Sequence, residues 1–312
     1  MKTTIIGAGI NGCYLAYRLG NAEVFEAKEK LGGKPCSGLI SERIWDFIPR
    51  PIASSKLYNK LVKHEITEAR IHFSIDLHLA HFVRDIILEF SPKMLVFDRQ
   101  ALDDYVGSLV SGKINFSERV EDFSQFDRVV GCDGANSLVR KKFSKNNPDH
   151  RLGVYCYTRE RCDDHWVDCW PVKGGFAWKI PRGEDVEWGV IAPIGQAKKE
   201  FEKFIDKNNI KPDKIYSHVI PEGLCFVKNS KAVLCGDAAG LTKPWSGGGV
   251  IWGFTAADIL AENMGNFQEY EKKLKSKFNN RIMLNRLARN NIWLAGLFPF
   301  KKIKFDADWG IF

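Results

Sequence analysis

The first stretch of the chain, up to Glu26, constrains the fold more than any other. Thr3-Thr4-Ile5-Ile6 is a short β-branched run, Gly7-Ala8-Gly9-Ile10-Asn11-Gly12 follows it at once, and Cys13 to Leu19 then carries apolar residues at helical spacing. A second short strand, Glu23-Val24-Phe25-Glu26, comes after Gly20-Asn21 and ends on an acidic side chain. This is a β-α-β unit with Gly7, Gly9 and Gly12 in G-x-G-x-x-G spacing. The glycines permit a tight turn, close backbone approach to a pyrophosphate and close helix packing. The helix amino terminus offers free N–H groups and a favourable dipole to phosphate. Glu26, with Ala27 beside it, is the right kind of group to accept from ribose hydroxyls. Dinucleotide binding is the expectation.

The chain has 312 residues, 45% hydrophobic and 27% charged, an ordinary globular composition that excludes disorder, collagen and coiled coil. That length suits a large α/β body with a second domain. The longest apolar runs, such as Trp293 to Phe300, fall far short of the roughly 20 residues of a membrane-spanning helix. The early strand pattern is not that of a secretory signal, so a cytoplasmic chain is expected. The eight cysteines are scattered without a C-x-x-C pair, which predicts reduced thiols. His78 and His81 sit at an odd spacing in an alternating segment, on opposite faces, and no metal site is expected. Lys and Arg outnumber Asp and Glu by 46 to 38, a formal charge of +8, yet no nucleic-acid motif accompanies the excess.

From Ile66 to Phe82 the pattern changes: Ile71, Phe73, Ile75, Leu77 and Leu79 alternate with His72, Ser74, Asp76 and His78, as in an antiparallel strand. Leu95 to Val110 reads as a strand leading into a helix, and Arg128 to Gly134 as another strand. Residues 153–227 are strand-rich and aromatic, with Trp166, Trp170, Phe176, Trp178 and Trp188, interrupted by a helical pattern at Lys198 to Lys207. Ala232 to Asp237 is a strand meeting a turn, and Gly249 to Glu262 an apolar helix. The expected class is α/β, or α+β overall. A Rossmann-like domain over 1–62, 96–150 and 228–275 interleaves with an antiparallel β-sheet substrate domain over 63–95 and 151–227, and 276–312 forms a helical tail.

Two further motifs lie at strand ends, where ligands bind in open α/β sheets. Gly131-Cys132-Asp133-Gly134-Ala135-Asn136-Ser137 is one. Gly236-Asp237-Ala238-Ala239-Gly240, followed by Lys243-Pro244-Trp245-Ser246-Gly247-Gly248-Gly249-Val250, is the other. In this order the three motifs resemble the FAD-binding fold of p-hydroxybenzoate hydroxylase and its relatives. The resemblance implies FAD, with the first motif on the ADP pyrophosphate, Asp133 and Gly134 touching nucleotide and flavin sides, and Gly236 and Asp237 at the ribityl chain. Phe97-Asp98-Arg99-Gln100-Ala101-Leu102 is similar to a stretch of that family whose arginine, here Arg99, lies near the cofactor.

A closer likeness exists within that fold. Gly33-Lys34-Pro35-Cys36-Ser37-Gly38-Leu39-Ile40 resembles the K-x-C-[SG]-G segment of geranylgeranyl reductases, Phe176 to Pro181 resembles their aromatic-x-W-x-[FL]-P strand, and Lys243 to Gly249 their stretch after the G-D motif. Lys173 stands where the family usually has a proline, Ile180 where it has Phe or Leu, and many members have a longer carboxyl-terminal part.

The resemblance implies reduction of carbon–carbon double bonds in an isoprenoid chain of a membrane lipid or its precursor. A flavin passes a hydride to one alkene carbon while an acid protonates the other. Cys36 and Trp178 become catalytic candidates. Lys34, Cys36, Ser37, Gly38, Gly247, Gly248, Gly249 and Val250 join the cofactor-binding set, and Phe73, Phe82 and Phe176 are candidate cavity aromatics. Only one G-x-G-x-x-G occurs, so electrons are expected from outside: a reduced protein carrier, a deazaflavin or NAD(P)H. Two rivals stay open: a flavin monooxygenase or halogenase on the same fold, and a non-catalytic FAD- or lipid-binding redox sensor acting through Cys36. In the tail, Arg281, Arg286, Arg289, Lys301, Lys302 and Lys304 interleave with Ile282, Leu287, Trp293, Leu297, Phe298 and Phe300. That stretch reads either as a helix packed on the core or as a peripheral contact with an anionic membrane.

Overall fold

A computed structural model describes residues 2–77, 80–144, 146–227, 229–296 and 301–310, without the side chains of 75–77 and 80–82. The expectations placed on His78, Leu79, Leu297, Phe298 and Phe300, and on the side chains of Ile75, Leu77, His81 and Phe82, therefore lie outside the described residues. The chain begins with β1 (Thr3–Ile6), α1 (Ile10–Leu19), β2 (Glu23–Phe25), β3 (Leu39–Ser41), α2 (Lys56–Leu61), β4 (Val62–Leu77), β5 (Ala80–Phe97) and α3 (Arg99–Ser108). It continues through β6 (Ile114–Asn115), β7 (Arg128–Gly131), α4 (Leu138–Phe143), β8 (Asp149–Thr158), β9 (Trp166–Val172), β10 (Gly175–Pro181) and β11 (Val186–Pro193). Last come α5 (Ile194–Lys207), β12 (Ile215–Glu222), β13 (Ala232–Leu234), α6 (Val250–Glu262), α7 (Phe267–Asn290), α8 (Ile292–Ala295) and β14 (Lys302–Phe305).

These elements form two compact units. The first comprises Met1–Lys34, Arg99–Asp149 and Ile220–Met283, the second Pro35–Asp98, His150–Val219 and Leu284–Phe312. Residues 35–62, expected beside the nucleotide motif, sort with the second unit: β3 pairs with β5, and the Asp98 N–H donates to Leu61 at 2.8 Å. The 276–312 segment is not wholly helical either. Lys302–Phe305 alternates polar and apolar, and its backbone pairs with β5 from Lys302↔Ile87 to Phe305↔Phe90.

The first unit is built on a parallel sheet in the order β13-β7-β1-β2-β6. Its strands are short and apolar because parallel strands are covered on both faces; Ile5, Val24, Val130 and Val233 are fully buried. α1 meets α6 through Tyr14, whose ring stacks on Phe254 at 4.1 Å and whose hydroxyl donates to Asp258 at 2.7 Å. The buried Tyr270 of α7 donates to the Leu234 carbonyl at 2.8 Å.

The second unit holds a larger sheet in the order β12-β8-β11-β10-β9-β4-β5-β14, with β3 added to β5. The expected antiparallel sheet is in fact mixed: β9 runs parallel to β4 and β14 parallel to β5. Strands separated by only a few residues must be antiparallel, as β4–β5 and β10–β11 are, whereas β9 and β14 arrive after long excursions that allow either sense. α5 covers one face with Ala197, Phe201, Phe204 and Ile205, spaced i, i+4, i+7 and i+8, against Val154, Cys156, Trp188 and Val190.

Candidate functional site

In the first unit the site residues gather at the carboxyl ends of β1, β7 and β13. Each glycine of the first motif has a distinct job. Gly7 takes φ +99°, and a Cβ there would stand 2.6 Å from the Cys132 carbonyl oxygen; a Cβ on Gly12 would fall on the Gly7 carbonyl. Gly9 is different: a Cβ there would meet nothing within 4 Å. Gly9 is also the N-cap of α1, with no side chain capping the helix, so the first turn keeps backbone donors for a ligand. Glu26 braces this turn, accepting from the Ala8 N–H at 2.8 Å and the Lys28 N–H at 3.0 Å. Ala27 lies exposed between those contacts.

The second motif is tied down by its own acid. One oxygen of Asp133 accepts from the Leu138 and Val139 N–H groups at 2.6 and 3.3 Å, capping α4. Burial raises the Asp133 carboxyl above its ordinary pKa, while those hydrogen bonds oppose the rise. Gly134 sits at φ +78° with open space where a Cβ would be. Sequence reasoning passed over Arg140, which is buried and bridges two motifs by donating to the carbonyls of Ala135 and Ala238.

Around the third motif Asp237 pairs with Lys34, 203 positions away in sequence. The Asp237 side chain is 12% exposed and lies against Gly249, where a Cβ would approach its Oδ1 to 3.1 Å. Gly249 caps α6 without a side-chain bond. The loop before it closes on itself, with Lys243 N–H donating to Gly248 at 3.0 Å and Gly247 N–H, at φ +76°, to Lys243 at 2.7 Å. Val250 opens the helix. Asn11 fills the space that Gly236 and Gly253 leave free, since a Cβ on either would collide with its amide. Arg99 is engaged within α3, donating to Asp103 through Nε and Nη2 at 3.0 and 2.9 Å.

The second unit brings Cys36, Ser37, Gly38 and Trp178 together around a pair that the sequence reading missed. Glu187 is fully buried; its Oε1 accepts from Trp178 Nε1 at 2.8 Å, and its Oε2 lies 3.6 Å from Arg182 Nη1. Arg182 also donates to the Ser37 carbonyl, and to that of Phe97 at 3.2 Å. Its guanidinium stands 5.3 Å from the centre of the Tyr157 ring, and Tyr155, Tyr157 and Tyr216 form an aromatic cluster. Burial pushes the Glu187 carboxyl up, Arg182 pulls it down, and Tyr155 and Tyr157 are both raised by burial and by Glu187. Tyr155 also interacts with the Cys36 backbone. Gly38, at φ +71°, accepts from the Phe97 N–H at 2.9 Å and has no room for a Cβ. Cys36 is a half-buried free thiol. The available signal was local: Arg182 and Glu187 flank the turn that joins β10 to β11. Of the candidate cavity aromatics, Phe73 is core and Phe176 is half-buried, 5.7 Å from Trp178.

Among the described residues no three His, Cys, Asp or Glu side chains form a metal-binding group, and no helix is long and apolar enough to cross a membrane.

No family model matches the chain. It is 25% identical over 316 residues to an uncharacterized protein of Methanosarcina barkeri, covering 92% of this chain and 79% of that protein. It is 28% identical over 182 residues to digeranylgeranylglycerophospholipid reductase 1 of Methanosphaera stadtmanae, covering 48% of this chain and 45% of that one. In structure it is similar to a geranylgeranyl bacteriochlorophyll reductase-like protein of Thermoplasma acidophilum, with TM-score 0.76, 18% identity and coverage of 94% and 87%. It is also similar to the myxobacterial chondrochloren halogenase CndH, an FAD-dependent halogenase, with TM-score 0.68, 13% identity and coverage of 91% and 81%. The chain has the fold these two structures share.

Proposed function

We propose that the chain is an FAD-dependent reductase of carbon–carbon double bonds in an isoprenoid chain. The observation that carries this reading is the open, uncapped turn at Gly9 in a chain similar to a digeranylgeranylglycerophospholipid reductase. The residues of the first unit fit FAD. The uncapped start of α1 suits a diphosphate. Glu26 retains acceptor capacity for ribose hydroxyls beyond its contacts here, and a carboxylate at Asp237 is the right kind of group for ribityl hydroxyls. The glycines before Val250 leave α6 an uncapped amino terminus that favours negative charge. FAD, when bound, supplies hydride transfer to an alkene carbon.

The chain's own residues supply the rest. Lys34 neutralises Asp237, so that this carboxylate is held as an oriented acceptor. In the second unit we assign the isoprenoid to the neighbourhood of Cys36 and Trp178. An isolated alkene is a poor hydride acceptor, and the aromatic rings there suit an apolar, water-poor environment. Arg182 fixes the Ser37 carbonyl, and with it the backbone next to Cys36. Glu187, raised by burial, keeps its proton above the usual carboxylate range. A single G-x-G-x-x-G makes the electron donor an external one: a reduced protein carrier, a deazaflavin or NAD(P)H.

The test is anaerobic. The purified yellow protein is reduced with dithionite, mixed with a geranylgeranyl lipid, and followed near 450 nm, with mass spectrometry of the lipid. Reoxidation with a gain of two hydrogens per turnover is expected. Flavin that stays bleached until oxygen enters contradicts the reductase reading and favours oxygen chemistry or a binding role.

A further inference from the structure

Between Lys272 and Lys304 the chain carries ten Lys and Arg and no Asp or Glu. The remaining residues hold 36 basic against 38 acidic side chains, so the whole positive excess of the molecule resides in this one stretch. Within it, α7 buries Leu274, Phe278, Ile282 and Asn285 on one side. At about 100° per residue, Met283, Leu284 and Leu287 project from the opposite side, on an arc they share with Lys273 and Lys277. Met283 is 52% exposed, Leu287 53%, and in α8 Leu294 is 51%; Leu284 and Trp293 are exposed as well. Five large apolar side chains open to water within twelve positions have no role in the core.

We infer that this side of α7 and α8 is a docking surface for an anionic lipid bilayer. The lysines of the α7 shaft draw the helix to negative headgroups, and the apolar end with Trp293 inserts among them. Charge complementarity selects this occupant. A second copy of the chain would bring an equally basic surface against it. A nucleic acid would use the lysines but leave Met283, Leu284, Leu287 and Leu294 in water. The assignment does not depend on the proposed reaction, because it is read from partitioning without turnover.

The experiment is co-sedimentation of the full chain with vesicles of phosphatidylcholine alone and of phosphatidylcholine mixed with phosphatidylglycerol. Binding is expected on the mixed vesicles only, weakening as salt rises. Leu287→Glu with Trp293→Glu, and separately Lys273→Glu with Lys277→Glu, each lower the partition coefficient about tenfold. Thermal unfolding stays where it was, since these side chains are exposed. Equal binding to neutral vesicles, binding to neither, or variants that partition like the wild type overturn the inference. So does a dimer in light scattering that Leu287→Glu with Trp293→Glu dissolves, which would assign the surface to a second copy.

Discussion

The two units carry their candidate chemistry by opposite means. In the first, backbone does the work: Gly7, Gly12, Gly236 and Gly249 stand where a side chain would strike a neighbour, and Gly9 and Gly134 where one would fill open space. In the second, side chains do it: a fully buried carboxylate, a guanidinium and an indole meet across a hairpin, and the guanidinium holds the Cys36 loop by the Ser37 carbonyl. Backbone sites are written as glycine spacing, and any reader of the sequence can find them. Side-chain sites exist only after register is set. Glu187 meets Trp178 and Arg182 because β10 and β11 pair with Ile180 opposite Glu187.

The contrast can be broken most forcefully at Arg182. Arg182→Met leaves the Glu187 carboxylate buried without its cation, which is expected to cost about 3 kcal/mol in urea unfolding. A loss below about 1 kcal/mol would mean the pair is not the support of that unit.

Two glycines separate scaffold from site within the first unit. Gly12→Ala drives a methyl into the Gly7 carbonyl and is expected to destabilise the fold by about 2 kcal/mol. Gly9→Ala adds the same methyl to open space and is expected to leave stability within about 0.5 kcal/mol, by the same unfolding measurement. Equal destabilisation at both positions would erase the distinction.

The pH dependence sharpens it further. Glu187 titrates above its ordinary value of 4.5 in the folded chain because of burial, so the folded state keeps a proton that the unfolded state has released. Stability therefore falls as pH rises from about 4.5 to the raised value, and is flat beyond it. Subtracting the Glu187→Gln profile from the wild-type profile isolates this slope. The smallest effect is expected at His72, on the same unit's sheet. Its two ring nitrogens lie 2.8 Å from Asp168 and Asp85, and its pKa is raised, chiefly by the bond to Asp168, against the effect of burial. That stabilisation is complete below 6.5, the ordinary value, and is lost as pH rises through the folded-state pKa; His72→Gln should remove it.

What could be read in advance follows the same division. The β1–α1–β2 unit, the strand before Cys132-Asp133 and the apolar α6 were all legible, because each depends on neighbours in sequence. Lys34 was picked out by resemblance, but its pairing with Asp237 spans 203 positions and no local pattern encodes it. Arg140 is buried because two carbonyls from separate loops receive it, which no charge pattern announces. The β14 strand was legible only weakly: Lys302-Ile303-Lys304-Phe305 alternates, but four residues are a short pattern and their pairing with β5 is set by packing far away in sequence. The parallel strands of the second sheet were not legible, since strand direction after a long excursion is fixed by packing.

The central claim is that the bare turn at Gly9 holds the phosphates of a flavin dinucleotide. FAD titrated into the apoprotein, followed by flavin fluorescence, is the most direct test. The account predicts one FAD per wild-type chain, and Gly9→Ala with affinity lowered about tenfold or more at unchanged unfolding temperature. A Gly9→Ala protein that binds FAD as tightly as the wild type, or a wild-type chain that does not bind it, would contradict the claim.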